Sequence, residues 1–345
     1  MSARLAVLLT LIWVSLAQAQ GFAGLGSGGD GFATPRRGHV LSFPVDHGAH
    51  PDFRIEWWYL TANLTGADGR DYGVQWTLFR TALSPQDGPG WSSPQIWFAH
   101  AGLTTPDRHF AAERAARGGI GQAGVTADPF EAWIDDWQMA GPDLSNLSVH
   151  AAGTGFTYTL DLVADGPLTL HGDRGYSVKS ETGQASYYYS QPGYAVQGTL
   201  SLPEGPVQVT GQAWLDREWS SQPLAADQSG WDWVSLHFDD GTKLMGFQLR
   251  QGSGAFTSGT WIGADGVAQP LANGALQMAP LSWHKVAGRK LPVSWAVRLP
   301  EHGIDVTIDA VNPDAWMGVT PPYWEGPVRI SGAQSGRGYL EMTGY

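Results

Sequence analysis

Apolar and polar positions alternate over short stretches along most of the chain, and turn residues punctuate them at close spacing. Trp57-Trp58-Tyr59-Leu60-Thr61-Ala62-Asn63-Leu64 is β-favouring, Ala67-Asp68-Gly69 reads as a turn, and Tyr72 to Arg80 resumes the β pattern with partial alternation. Asp-Gly between two such runs predicts a hairpin. The same device returns at Trp231 to Phe238, Asp239-Asp240-Gly241 and Lys243 to Arg250. No segment sustains a helical apolar period, and the best helical candidate is the short, Ala-rich Phe110 to Arg117. Short strands separated by Gly, Asp-Gly and Pro turns predict an all-β barrel or sandwich.

The landmarks repeat in order. Thr77-Leu78-Phe79-Arg80 is answered by Phe247-Gln248-Leu249-Arg250, Ile96-Trp97-Phe98 by Thr260-Trp261-Ile262, and Ala132-Trp133-Ile134 by Leu281-Ser282-Trp283. Tyr158 to Leu162 is answered by Trp295 to Leu299, and Val209-Thr210-Gly211 by Met342-Thr343-Gly344. The shared order predicts a duplication, with units over 35–211 and 212–345. A barrel of about eight strands can hold one small ligand, and two packed barrels offer a pocket between them.

The ends and the composition narrow the setting. Arg4, the apolar Leu5 to Leu16 and Ala17-Gln18-Ala19 have the layout of a signal peptide over 1–19. Export to the periplasm or outside the cell is therefore expected. The Gly/Ser/Ala-rich 20–34 reads as a flexible leader. No later apolar stretch is long enough for a stable membrane span. The chain has no Cys, so disulfides, thiolate metal sites and cysteine nucleophiles are excluded. A net charge of −12 with only 15% charged residues argues against nucleic acid as a partner.

The 17 Trp change the chemical picture, because four clusters set carboxylates beside indoles. They are Asp52 with Glu56-Trp57-Trp58-Tyr59; Asp135-Asp136-Trp137; Trp214 to Trp219 with Trp231-Asp232-Trp233; and Tyr323-Trp324-Glu325-Gly326. Tyr187-Tyr188-Tyr189 adds phenols. Consecutive strand side chains face opposite ways, so Asp216 and Glu218 share one face, and Arg217 and Trp219 the other. Such a carboxylate can simply satisfy a buried indole N–H. Two chemistries also suit the pattern. A buried, protonated acid can protonate a double bond beside aromatic faces that stabilise the cation. Alternatively, a carboxylate pair can cleave a glycosidic bond while Trp stacks on the sugar. Candidate catalytic residues are Asp216, Glu218, Trp219, Asp232 and Glu56. Candidate pocket residues are Trp57, Tyr59, His100, Tyr188, Arg217, Trp231, Trp233, Tyr323 and Glu325. His39, His47 and His50 with Asp46 and Asp52 match no metal spacing, so no metal and no cofactor are expected. No G-x-S-x-G elbow or phosphate-binding Gly loop is present.

Several long segments resemble the family of carotenoid 1,2-hydratases (hydroxyneurosporene synthases) and AttH-like exported proteins, also described as predicted secreted hydrolases. They include His50 to Tyr59, Trp97 to Ala101, Gly172 to Gly175, Ala185 to Ser190, Asp216 to Ser220, Asp227 to Trp233 and Tyr323 to Gly326. The resemblance implies two lipocalin-like antiparallel β-barrels packed together, and an apolar isoprenoid or lipid ligand. It also implies an ABC-type export system as partner. In the hydratases a His and a Trp of the segment matching Asp216 to Trp219 are implicated in hydration. Here the Trp is Trp219, but the His position holds Arg217, a poor proton donor.

Overall fold

Both predicted Asp-Gly hairpins form, and each lies at the heart of one antiparallel sheet. β1 (Ile55–Gly66) pairs with β2 (Asp71–Ala82), and β14 (Gln228–Phe238) with β15 (Lys243–Gln251). Gly69 and Gly241 take left-handed φ of +77° and +88° in the turns, where a side chain would be strained. These coordinates are a computed structural model that describes residues 22–345 apart from Gly26 and Ser253. The expected signal peptide, 1–19, lies outside the described residues.

The first sheet continues through β3 (Gln95–Thr104), β4 (His109–Arg117), β5 (Ala123–Ala127), β6 (Phe130–Ile134), β7 (Trp137–Asp143), β8 (Asn146–Gly153) and β9 (Phe156–Ala164). The short β10 (Thr169–Leu170) and β11 (Tyr176–Val178) flank the long β12 (Ala185–Leu202), and β13 (Gly205–Ser220) follows. The second sheet adds β16 (Gly254–Ile262), β17 (Ala268–Leu271), β18 (Gln277–Val286), β19 (Arg289–Leu299), β20 (Ile304–Ala310), β21 (Trp316–Met317), β22 (Tyr323–Gly332) and β23 (Gly336–Met342). The fold is all-β: one nearly closed barrel-like sheet and one half-barrel, both lipocalin-like.

The strand orders carry the repeat. The first sheet runs β4-β3-β2-β1-β13-β12-β9-β8-β7-β6-β5 and the second β17-β16-β15-β14-β23-β22-β20-β19-β18. In each, the opening strand pairs with the closing one. By this order β15 answers β2, β16 answers β3 and β23 answers β13, as the sequence landmarks suggest. Two landmark pairs are one strand out: Ala132-Trp133-Ile134 lies on β6, whereas β18 answers β7, and Tyr158 to Leu162 lies on β9, whereas β19 answers β8. Common β patterns on neighbouring strands are easily interchanged in a sequence.

Three further expectations need correction. Phe110 to Arg117 is not helical but belongs to strand β4, paired with β3 along its length. Alanine's helix propensity is weak beside a full ladder that turns Ala112 and Ala116 inward. β13 runs unbroken through position 211 to Ser220, so the sheets part between Ser220 and Gln228 rather than at residue 211. The described part of 20–34 is not a free leader. Leu25 is buried against Ile55 and Leu224, Ala33 N–H donates to Asp52 O at 2.9 Å, and Arg54 Nη2 donates to Gly24 O at 3.1 Å.

The sheets pack face to face through the outer faces of β1, β2 and β13 and of β14, β22 and β23. They approach closely at Gly73 on β2, where a Cβ would stand 2.6 Å from the Pro327 ring and 2.8 Å from Tyr339 Oη. Neither a proline ring nor a buried tyrosine can yield cheaply. Gly73→Ala should therefore wedge the sheets apart and cost about 1–3 kcal/mol, read as a lowered thermal midpoint. An unchanged midpoint would show slack at this contact.

Candidate functional site between the sheets

Strand register assembles the site in rows. Across the first sheet, Ser190, Asp216, Tyr59, Thr77 and His100 are successive cross-strand partners. The next row on the same face is Tyr188, Glu218, Trp57, Phe79 and Phe98. The second sheet opposes them with Phe247, Trp233, Glu341 and Glu325 in one row. Trp231 and Leu249 extend this face. Between the two faces lies a cavity of about 260 Å³. Ala23, Leu25, Pro223 and Leu224 also line it, and Lys179 enters from the segment after β11.

The wall is mostly apolar and rich in aromatic rings, and its polar groups converge on carboxyls. Asp216 accepts from Tyr188 Oη at 2.6 Å, from Trp214 Nε1 at 2.6 Å and from Ser190 Oγ. Burial pushes its carboxyl up to about 7, although these donors pull the other way. Burial likewise pushes Glu341 up to about 8 against the Trp231 indole, which bonds it. Glu325 stands opposite Glu341 and accepts from Tyr59 Oη at 2.5 Å. Burial, and then the neighbouring Glu341, hold it well above the usual carboxylate range. Glu218 differs, because Lys179 Nζ pairs with it at 2.8 Å and Ser186 donates to it. The Lys179 ammonium lies 4.2 Å from the Phe247 ring centroid and 4.7 Å from that of Tyr188. His100 meets Tyr323 Oη at 3.1 Å, and burial lowers its pKa to about 4, so it is neutral. The site is thus an apolar slot edged by acids of raised pKa and by the Lys179–Glu218 pair.

Of the residues singled out in the sequence, Asp216, Glu218, Trp57, Tyr59, His100, Tyr188, Trp231, Trp233 and Tyr323 line this cavity. Glu325 sits just behind Tyr59. Glu56, Arg217 and Trp219 do not line it, because the pleat turns them into the first barrel. There Arg217 Nη2 pairs with Glu56 at 2.5 Å, Arg80 pairs with the other carboxyl oxygen, and the Arg217 guanidinium lies 3.8 Å from the Trp58 ring centroid. His50 stacks on Trp219 at 4.0 Å. Burial opposes charge on Glu56, but Arg217 and Arg80 outweigh it and hold the carboxyl well below the usual range. Glu56 is therefore no proton donor. Asp232 points into the second sheet's core, where Arg250 pairs with it at 2.5 Å.

The sequence reading missed Glu341, Lys179 and the Phe79–Phe98 stack, whose centroids are 4.5 Å apart. Glu341 has no adjacent indole in sequence. Only its alternation with Tyr339 on a closing strand could have marked it. Lys179 carries no local signal at all. Among the described residues no group of His, Asp and Glu is arranged to hold a metal ion, and no helix is long and apolar enough to cross a membrane.

Fold and pocket together define a double lipocalin-like β-barrel protein with its cavity between the sheets. The chain belongs to the AttH-like family, whose model matches residues 34–345. It is similar to the crystal structure of an assigned AttH from Nitrosomonas europaea, with 33% identity, 91% of this chain and 99% of that chain covered, and a TM-score of 0.82. It also shares its fold with kievitone hydratase from Nectria haematococca, at 15% identity and a TM-score of 0.65, over 91% of this chain and 98% of that one. No protein of curated function matches it.

Glu341 gives a pH test of the site. It binds a proton near pH 8 when folded and near 4.5 when unfolded. The folded state therefore holds more protons across that window, and stability falls as pH rises through it. Glu341→Gln removes this loss, so its stability relative to the parent should rise between about pH 5 and pH 8, by roughly 3–4 kcal/mol. Parallel melting curves for the two proteins at every pH would refute the raised pKa.

Proposed function

We propose that the protein binds a small apolar molecule of isoprenoid or lipid type in the cavity between its sheets. The observation that carries this reading is the cavity wall: indole, phenyl and aliphatic side chains from both sheets, edged by Asp216 and Glu341, whose readiness to hold a proton burial raises. A neutral carboxyl demands far less solvation than a carboxylate, so such a wall favours apolar guests. A sugar would leave most of its hydroxyls unmatched against these rings, which weighs against glycan hydrolysis. Export is inferred from the amino-terminal pattern Leu5 to Leu16 with Ala17-Gln18-Ala19, and the ABC-type export partner rests on resemblance alone.

A second reading, hydration of a carbon–carbon double bond, is favoured by the place of Asp216. Its carboxyl lines the cavity with a pKa near neutrality, the condition for a general acid at ordinary pH. It would give its proton to one alkene carbon, the π pair forming the new C–H bond. The cation left on the other carbon lies among Trp57, Trp231 and Trp233. Water then adds there through oxygen, and its surplus proton returns to the Asp216 carboxylate. Arg217 in place of the hydratases' His does not obstruct this, because it faces the barrel interior. Kievitone hydratase is built on the same frame, and the frame is what the comparison shares.

Titration with acyclic carotenoids and shorter prenyl alkenes, followed by quenching of tryptophan fluorescence, tests the binding. Phe79→Ala should weaken it roughly tenfold by removing one apolar wall. If no apolar compound binds, the first reading falls. Product analysis by mass spectrometry tests the second: Asp216→Asn should bind normally but form no hydroxylated product. Binding without any product in the parent protein would leave a carrier rather than a hydratase.

A further inference from the structure

Behind Asp216 runs a chain of hydrogen bonds that the chemistry above leaves unused. Ser190 Oγ donates to Asp216 Oδ1, His171 Nε2 lies 2.6 Å from Ser190 Oγ, and His171 Nδ1 lies 2.8 Å from Thr260 Oγ1. All four residues are buried. The chain leaves the cavity wall at β13, crosses β12 and the segment between β10 and β11, and ends on β16 of the second sheet. Every inner link joins groups that can either donate or accept. A hydroxyl does both, and a neutral imidazole donates from one nitrogen and accepts at the other.

We propose that His171 is a positioning residue for Asp216, its ring tautomer reversing each time Asp216 loses or regains a proton. With Asp216 ionised, Ser190 donates to the carboxylate, His171 Nε2–H donates to Ser190, and Thr260 O–H donates to Nδ1. With Asp216 protonated through Oδ1, the carboxyl donates to Ser190, Ser190 donates to Nε2, and Nδ1–H donates to Thr260. Each hydroxyl rotates and one ring proton is relocated, yet no net charge enters the chain. Every link of the chain is therefore made in both states, which a buried acid of changing charge requires.

The surroundings keep His171 neutral, as this reversal needs. Burial, and then the Lys179 ammonium, hold its pKa well below the usual imidazole value. The Tyr188 ring packs on it at 4.2 Å between centroids. The charged and titratable groups facing the pair are Lys179 from the segment after β11, Tyr188 on β12, Glu218 on β13 and Glu341 on β23. Lys179 and Glu218 pair with each other, so they change the local field little as Asp216 titrates.

This inference rests on the reading in which Asp216 exchanges a proton, but its test needs no ligand. The full chain, labelled with nitrogen-15 histidine, is titrated from below to above neutrality. Nuclear magnetic resonance follows the His171 ring nitrogens, and infrared spectroscopy follows the protonated carboxyl band lost in Asp216→Asn. The proton on His171 should move from Nδ1 to Nε2 at the same midpoint at which the Asp216 band disappears. Asp216→Asn should fix one tautomer, and Ser190→Ala should uncouple the ring from the carboxyl. A single His171 tautomer throughout the loss of the Asp216 band overturns the proposal, as does an unchanged reversal in Ser190→Ala. Should Ser190→Ala fail to fold, the comparison of the two midpoints in the parent protein decides; should Asp216→Asn fail to fold, the persistence or loss of the reversal in Ser190→Ala decides. A negative result leaves cavity binding untouched, since that is read with an apolar ligand.

Discussion

A strand that lies between two packed layers has no solvent face, and this constraint governs β1 and residues 213–220 of β13. Each presents one row of side chains to the first barrel's core and the other row to the second sheet. Every charge on either row is therefore buried and must be paired or neutralised, since an isolated buried ion costs several kcal/mol. The molecule uses both solutions: ion pairs on either face, Glu218 with Lys179 among them, and a raised pKa at Asp216. Inside the barrel, Glu56 stays ionised because Arg217 and Arg80 bracket it. On the other face Asp216 has donors but no cation bonded to it, and burial raises its pKa instead. The pleat, a two-residue period, is all that separates the Glu56 ion cluster from an acid of raised pKa.

That separation explains what could and could not be read from the chain. The hairpins, the duplicated order and the opposed faces of Asp216-Arg217-Glu218-Trp219 follow from local alternation, which a sequence displays directly. Which of two faces meets the second sheet does not, because it depends on how β14, β22 and β23 dock. So Glu56 and Asp232, set among indoles like Asp216, looked equivalent to it and are not. Glu341 escaped notice for the converse reason: its indole neighbours Trp231 and Trp233 lie across a strand pair, far away in sequence. Phe110 to Arg117 failed differently, since a short propensity signal is overridden by a neighbouring ladder. The end of the first sheet was misplaced at residue 211 because β13 outruns the segment shared by the two repeats.

The duplication itself supplies the asymmetry a site needs. Both sheets place their opening and closing strands side by side, and these central strands are the ones that meet. On the first sheet this pair carries Trp57, Tyr59, Asp216 and Glu218; on the second it carries Trp231, Trp233 and Glu341. The second adds Glu325 from β22, directly opposite Glu341. Two like charges so placed in a dry interface would repel strongly, so the pair favours holding at least one proton.

This has a consequence for water. Glu325 Oε2, Thr61 Oγ1, Gln75 Oε1 and Ser235 Oγ are buried without a protein partner, and all four lie on faces turned toward the interface of the sheets. Buried polar atoms of this kind are ordinarily satisfied by internal water. These polar atoms share their faces with the aromatic wall of the slot. Carriers of apolar ligands need only the slot. A binding role alone thus leaves this polar patch, where Glu325 and Tyr59 meet, without a use.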